Sequence, residues 1–335
     1  MGASKRLLVL ATIAAAAVVL SGCLVPRPPG NAPLRYRDTV FSGVTLTSNL
    51  QYGSAVNQSG VNQALLLDLR QPTGDTRTSR PALVFVHGGG FSGGDKASGV
   101  APDMATEFAK RGYVTVSINY RLISTPCGGS NLGGNCTLAA LDAGHDGQAA
   151  VRWLRAHAAQ YRIDPTRIGI SGESAGAITA ALVGMRGDDP GTSGNPGPSS
   201  RVSGWVSISG GLPNGVFASA DDAPGVLFHG DADAIVPWQW SHDTAKALAA
   251  VGVPTFFQSL AGAGHVPYAT YRARFIEQAS YFFYWYLDAA HAQGQPAAAA
   301  RAADARLAGY ARSASLKRYV PRATRLHATH RQYVR

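Results

Sequence analysis

Residues 167–185 read RIGISGESAGAITAALVGM: a short apolar run, a glycine-framed serine, then a proline-free stretch with a helical pattern. A serine on such a strand-to-helix turn needs glycines two positions before and after it, because the backbone must bend sharply while strand and helix approach closely. Its hydroxyl is then exposed at a helix N-terminus, where the helix dipole favours developing negative charge. The same G-x-S-x-G pattern occurs at residues 90–94, GFSGG. There Ser92 is followed by Gly93-Gly94-Asp95, from which a helix does not readily start. Ser174 is therefore the expected nucleophile, and Ser92 is expected to take no chemical part.

Outward from this turn, apolar β-rich runs alternate with helical patterns from about residue 35 to residue 290. That alternation argues for βαβ units and a mainly parallel sheet in one large α/β domain. Leading strands are expected at 39–46 and 64–69, with antiparallel hairpin pairing open to them. Short buried strands follow at 82–86, 113–118, 168–170, 202–208, 226–228 and 255–257. Helices are expected at 102–110, 142–161, 174–185, 241–250 and 271–290, the last rich in aromatic residues that read as core packing. Residues 187–201 form a Gly/Pro/Ser loop without periodicity.

A serine hydroxyl is a poor nucleophile near neutral pH, so it needs a base, an acid that orients the base, and donors for the oxyanion. Of nine histidines, His265 is the best base, since it lies in the glycine-rich loop AGAGH after a strand and before the long final helix. His87 and His229 end strands beside glycines, where a histidine more often bonds backbone. Two acids follow the strand ending at 228, Asp231 and Asp233. Asp231 comes directly after the glycine that ends the strand and would more naturally bond the turn backbone, which favours Asp233. The order Ser174, Asp233, His265 is one that supports a serine, acid, histidine relay. Upstream, HGGGF at 87–91 follows a strand, and its glycines let successive N–H groups face a cavity without side-chain obstruction.

HGGGF, NYRL at 119–122, Asp164-Pro165 ahead of GESAG, HGDADAIVP at 229–237 and GAGH at 262–265 stand in one order along the chain. Together they resemble the α/β-hydrolase esterases and lipases, close to bacterial carboxylesterases and the hormone-sensitive-lipase-like enzymes, over roughly residues 65–290. The resemblance implies an α/β-hydrolase fold, with a central mostly parallel sheet and helices on both faces. It implies Asp233 as the acid and the backbone N–H groups of Gly89, Gly90 and Ala175 as oxyanion donors. It gives Arg121 a structural part. The implied activity is ester hydrolysis through an acyl-enzyme, with no metal or organic cofactor required. The same fold carries peptidases and amidases, and a silent binding protein is a third reading. The chain departs from many relatives in leaving no room for a large helical cap, so an open site for short to medium acyl esters is expected rather than a lipase that activates at an oil surface. Either the loop around Cys127 and Cys136 or the 187–201 loop is available to cover it.

The ends of the chain carry the remaining signals. Residues 1–22 combine an early Lys5-Arg6 with an apolar run at 7–20, about 21 Å as a helix and short of the roughly 30 Å hydrocarbon core, which reads as an export signal. LSGC, ending at Cys23, resembles a bacterial lipobox, so lipid on the Cys23 thiol and a cell-envelope location are expected. Residues 23–34 are then a stiff Pro-rich tether. Outside the cytoplasm, Cys127 and Cys136 in one Gly-rich loop are expected to pair as a disulfide, the alternative being two free thiols. The formal charge of +10 is concentrated at 291–335, which holds nine basic residues and one acid. That asymmetry argues against a specific nucleic-acid site in the domain and leaves anionic lipid or envelope polymer as a partner for the tail, against a solvated, disordered tail.

Overall fold

A computed structural model of the protein describes residues 24–128 and 133–287. The leader at 1–22, Cys23 and the basic tail at 291–335 lie outside the described residues. Eight strands form one sheet: β1 (Val44–Val56), β2 (Asn62–Pro72), β3 (Arg80–Val86), β4 (Val114–Ile118), β5 (Ile163–Glu173), β6 (Gly204–Ile208), β7 (Gly225–Gly230) and β8 (Thr255–Leu260). Their spatial order is β1-β2-β4-β3-β5-β6-β7-β8. The first two strands pair antiparallel to each other and β2 pairs antiparallel to β4, while every pairing from β4 to β8 is parallel.

The helices are α1 (Val100–Ala109), α2 (Asn135–Ala156), α3 (Ala158–Tyr161), α4 (Ala175–Met185), α5 (Trp238–Ala250) and α6 (Tyr268–Tyr286). Side chains alternate across each strand, so each strand feeds two cores. Ala82, Val84 and Val86 of β3 pack with α2, α4 and α5 on one face, whereas Leu83 and Phe85 pack with α1 and α6 on the other. The aromatic residues of α6 fill this second core, with Phe282, Phe283 and Tyr284 fully buried. Burial of each such ring contributes about 1.5–3 kcal/mol. Helix α4 is buried along its whole length, which explains its apolar sequence on all sides. It therefore carries Ser174, at its N-cap, into the centre of the molecule.

Several boundaries differ from the sequence reading. The first strand runs at 44–56 rather than 39–46. The N–H groups of Val40 and Phe41 instead donate to the Lys110 carbonyl at the end of α1, which removes them from the sheet. Strand β1 continues through polar residues because it lies at the sheet edge with much of its length exposed. A register shift between Thr47 and Leu50 accommodates Asn49 at φ 59°. Helix α2 begins at Asn135, beside Cys136, and not near 142. The Pro-rich stretch read as a tether is not a free spacer in its described part, and this corrects the expectation. Val25 is buried and its N–H donates to Gln278 Oε1 at 2.7 Å. Trp285 Nε1–H donates to the Pro26 carbonyl at 2.9 Å, and the Arg37 guanidinium donates to the carbonyls of Pro28 and Gly30.

The 187–201 loop packs on α2 and β1, where Asn195 donates to the Tyr52 carbonyl, and does not line the cavity that holds Ser174. Arg152 donates to the carbonyls of Asp189, Pro190 and Gly194, and Ser193 Oγ donates to Asp146 Oδ1. Arg121 is the hub of this region. Its backbone N–H and Nε–H bind the Asp146 carboxylate at 2.7 and 3.0 Å, and its other nitrogens reach the carbonyls of Val56 and Asp142. Asp146 is fully buried, so removing the guanidinium strands a carboxylate in the interior. Arg121→Ala is expected to lose about 3–5 kcal/mol of stability, read as a lower midpoint in urea unfolding. A loss below about 1 kcal/mol, typical of an exposed ion pair, would show that this network does not hold α2 and β1 together.

Candidate active site

The strand-to-helix turn after β5 is as tight as its sequence requires. A β-carbon on Gly172 would stand 2.2 Å from the Gly176 carbonyl, and one on Gly176 2.2 Å from the Val86 carbonyl of β3. Only glycine fits at either position. Between them Ser174 takes φ 55°, ψ −121°, a conformation a side-chain-bearing residue rarely adopts and one that costs on the order of 1–3 kcal/mol. Its N–H is held by the Ile208 carbonyl at 2.9 Å.

The turn after β7 and the loop after β8 bring two further residues to this serine. Ser174 Oγ donates to His265 Nε2 at 2.8 Å, and His265 Nδ1–H donates to Asp233 Oδ2 at 2.7 Å. Asp233 Oδ1 accepts the N–H groups of Ile235 and Val236 at 2.8 and 3.0 Å. Burial alone would raise the Asp233 pKa. Hydrogen bonds from His229, His265 and those two amides outweigh it and hold the carboxyl well below the ordinary range. Asp231 lies apart, its Oδ1 accepting the Gly262 N–H at 2.7 Å as a turn residue.

The HGGGF loop after β3 closes the other side. The Glu173 carboxylate accepts the Gly88 N–H at 2.8 Å, and Tyr120 Oη–H donates to the His87 carbonyl at 3.1 Å. His87 stacks on Tyr120 and donates from Nδ1 to the Gly88 carbonyl, and burial pushes its pKa below the ordinary histidine value. The N–H groups of Ser92 and Gly93 both donate to the Gly89 carbonyl, so Ser92 belongs to the turn that shapes the loop. Gly89, Gly90 and Ala175 all line the cavity with Ser174 and His265. Ala175 is the first residue of α4, where a helix N–H has no partner within the helix.

The cavity has a volume of about 480 Å³. Its apolar walls come from Phe91, Ile178, Ile235, Val236 and Trp240, and Pro126, Cys127 and Gly128 form the facing side. Of the two tryptophans after the acid turn only Trp240 lines it, since Trp238 Nε1–H donates to Ser259 Oγ and its ring stacks on His242. Cys127 and Cys136 are joined as a disulfide. The Cys127 N–H donates to the Gly90 carbonyl at 2.9 Å, so this covalent loop borders the HGGGF loop directly. Among the described residues no helical cap stands over the cavity, and β6 and β7 are joined by residues 209–224 with one short turn at Pro213–Gly215.

Sequence reasoning passed over Glu173, whose signal was its position beside Ser174. Burial, with a smaller opposing effect of the Gly88 N–H, raises its carboxyl above the ordinary glutamate range. For His229 sequence reasoning gives only a backbone bond. This fully buried residue contacts Asp233 Oδ2 at 3.0 Å as well as the expected backbone, and its signal was the H-G-x-x-D spacing.

The BD-FAE family matches residues 67–204, which include the HGGGF loop and Ser174 and stop short of Asp233 and His265. Lipase 1 of Geotrichum candidum is 34% identical over 173 residues, covering 48% of this chain and 30% of that protein. Esterase LipQ of Mycobacterium tuberculosis is 32% identical over 145 residues, covering 43% of this chain and 30% of its own length. The chain thus spans under a third of the length of these relatives. Among solved structures, a truncated carbohydrate esterase from gut microbiota superposes with a TM-score of 0.59 at 22% identity, covering 73% of this chain and 96% of that one. Thermogutta terrifontis esterase 2 phosphonylated by cyclosarin superposes at 0.58 and 25% identity, covering 74% and 96%. The chain has the α/β-hydrolase fold, and the proteins it resembles are esterases and lipases.

The disulfide closes a short loop beside the cavity, and loss of a cross-link of this span costs about 2–3 kcal/mol. The double variant Cys127→Ala/Cys136→Ala is expected to melt several degrees below the wild type in a calorimetric scan, and added reductant should lower the wild type alone. Equal melting temperatures would mean that the Cys127 N–H to Gly90 bond holds the wall without the cross-link.

Proposed function

We propose that this chain is a serine carboxylic-ester hydrolase acting on short to medium acyl esters. The observation that carries the reading is the unbroken relay from Ser174 Oγ through His265 to Asp233, with contacts of 2.8 and 2.7 Å, opening on a largely apolar cavity. Ser174 attacks the ester carbonyl as His265 Nε2 takes its proton, and Asp233 holds the imidazole by Nδ1–H and stabilises the imidazolium. The N–H groups of Gly89, Gly90 and Ala175 receive the oxyanion, each such donor being worth about 2.7–4 kcal/mol of barrier. His265 returns the proton to the departing alcohol, leaving an acyl-enzyme. Water activated by the same imidazole then releases the acid and restores Ser174. No step calls for a metal or an organic cofactor.

The short acyl range is supported by the cavity volume, within the ordinary span for small-molecule sites, and by the open rim, where Ile235 is 49% exposed. Ser174→Ala is expected to reduce turnover of p-nitrophenyl butyrate by roughly 10⁴-fold or more with unchanged circular dichroism, and to abolish labelling by a fluorophosphonate. Ser92→Ala is expected to retain most of both. Equal losses in the two variants, or labelling that survives in Ser174→Ala, would reject the assignment.

We further propose that the protein is exported and held at the bacterial cell envelope by lipid on Cys23. Because residues 25–30 pack on α6 and Arg37, such an anchor would hold the domain close to the bilayer. The tail at 291–335 is proposed to add contact with anionic lipid or envelope polymer. Cys23→Ala is expected to move the enzyme from the membrane pellet to the soluble fraction, and deletion of 297–335 to weaken pelleting at low salt. A pellet fraction unchanged by either alteration would refute the corresponding contact.

A further inference from the structure

Asp233 is approached by two imidazoles. His265 Nδ1 and His229 Nε2 lie 2.7 and 3.0 Å from the same oxygen, Oδ2. His229 belongs to β7, is fully buried, and does not line the substrate cavity. Its second contact on the Nε2 side is the Val236 carbonyl, at 3.0 Å. Carboxylate and carbonyl oxygens only accept, so Nε2 must carry a hydrogen.

The other nitrogen, Nδ1, lies 2.7 Å from Ser241 Oγ of α5. That hydroxyl lies 2.5 Å from the Gly210 carbonyl, which also receives the Ser207 hydroxyl at 2.6 Å. Ser241 has one proton to give. Given to His229, it would leave two oxygen lone pairs facing each other across 2.5 Å. Given to Gly210, it leaves Ser241 Oγ to accept a hydrogen from Nδ1.

We propose that His229 is a positioning residue for the acid, standing as an imidazolium paired with Asp233 and locked in that state by the acceptors of Ser241 and Val236. The proposal rests on the Ser174–His265–Asp233 relay described under the proposed function. A cation behind the carboxylate compensates part of its charge, so the carboxylate holds a proton on His265 less firmly. His265 then stays free to take the Ser174 proton at lower pH. The charged groups facing His265 are Asp233 from the turn after β7 and, electrostatically, Glu173 from the elbow. Around His229, the partners besides Asp233 are the uncharged Ser241 hydroxyl and Val236 carbonyl.

Two measurements test it. Nitrogen-15 NMR of the histidine-labelled full-length wild type, with His229 assigned by comparison with His229→Gln, is expected to show both its ring nitrogens protonated from pH 6 to 8. An unprotonated ring nitrogen at this residue would overturn the proposal, whether or not the protein hydrolyses esters. His229→Gln keeps a donor toward Asp233 and removes the charge. Its kcat/KM for p-nitrophenyl butyrate is expected to fall on the acidic side, the acidic limb moving up by on the order of one pH unit, with KM unchanged. Ser241→Ala, which removes the acceptor for Nδ1–H, is expected to move the limb in the same direction by less. A limb that stays in place in a folded His229→Gln would overturn the proposal. Absence of ester hydrolysis in the wild type would instead reject the functional reading and leave the NMR result to decide the state of His229.

Discussion

Two missing β-carbons fix the geometry of the site. At Gly176 the helix lies against the Val86 carbonyl, and at Gly172 the strand lies against the Gly176 carbonyl, each too close for any side chain. Strand β3, strand β5 and helix α4 therefore touch backbone to backbone at one point. Ser174 takes its strained conformation because both neighbours of the turn are clamped there. The HGGGF loop leaves β3 at Val86, from the same contact, so Ser174 and the loop share one frame of reference. Helix α4 can occupy this position because it is apolar on every side and buried along its length.

On that frame, the remaining polar groups are settled by burial and pairing. Asp233 is held ionised by four donors, His87 is kept neutral by burial and gives its Nδ1–H to Gly88, and Glu173 is raised by burial while accepting the Gly88 N–H. Such groups are costly when half satisfied and rigid when fully satisfied. The acid turn is densely bonded, and the serine sits in a strained conformation.

What the sequence disclosed follows from which of these forces leaves a local trace. Ser174 was legible because a tight turn demands glycine at fixed offsets, and Ser92 was separable because a helix does not start at Gly93-Gly94-Asp95. His265 and Asp233 were legible by their positions after strands, Asp231 being set aside as a turn residue. Parallel strands were legible as short apolar runs, since both faces are buried. The edge strand was misread because β1 is half exposed and its pattern is diluted by polar residues and a bulge at Asn49. The stretch after Cys23 was misread because prolines signal stiffness and carry no information about what lies beside them, here Gln278 and Trp285 more than 250 residues away. His229 was read as a backbone-bonding residue because its contact with Asp233 depends on how the acid turn folds back, with Ser241 of α5 behind it.

Part of the cavity wall, at Pro126, Cys127 and Gly128, belongs to a short loop cross-linked by the Cys127–Cys136 disulfide rather than to an inserted helical cap. A cap must bury an apolar face of its own and can swing on its hinges. A short loop closed by a disulfide has few conformations left to lose. This one is tied at three points: Cys127 N–H to Gly90, Ile123 N–H to Phe91, and Cys136 in the first turn of α2. Further along α2, Asp146 binds Arg121, the residue that follows β4 and Tyr120, and Tyr120 in turn holds the His87 carbonyl. Wall, HGGGF loop and α2 are thus one connected body. The rim on the other side stays open, with Ile235 projecting into solvent. Among the described residues no helical cap stands over the cavity on that side.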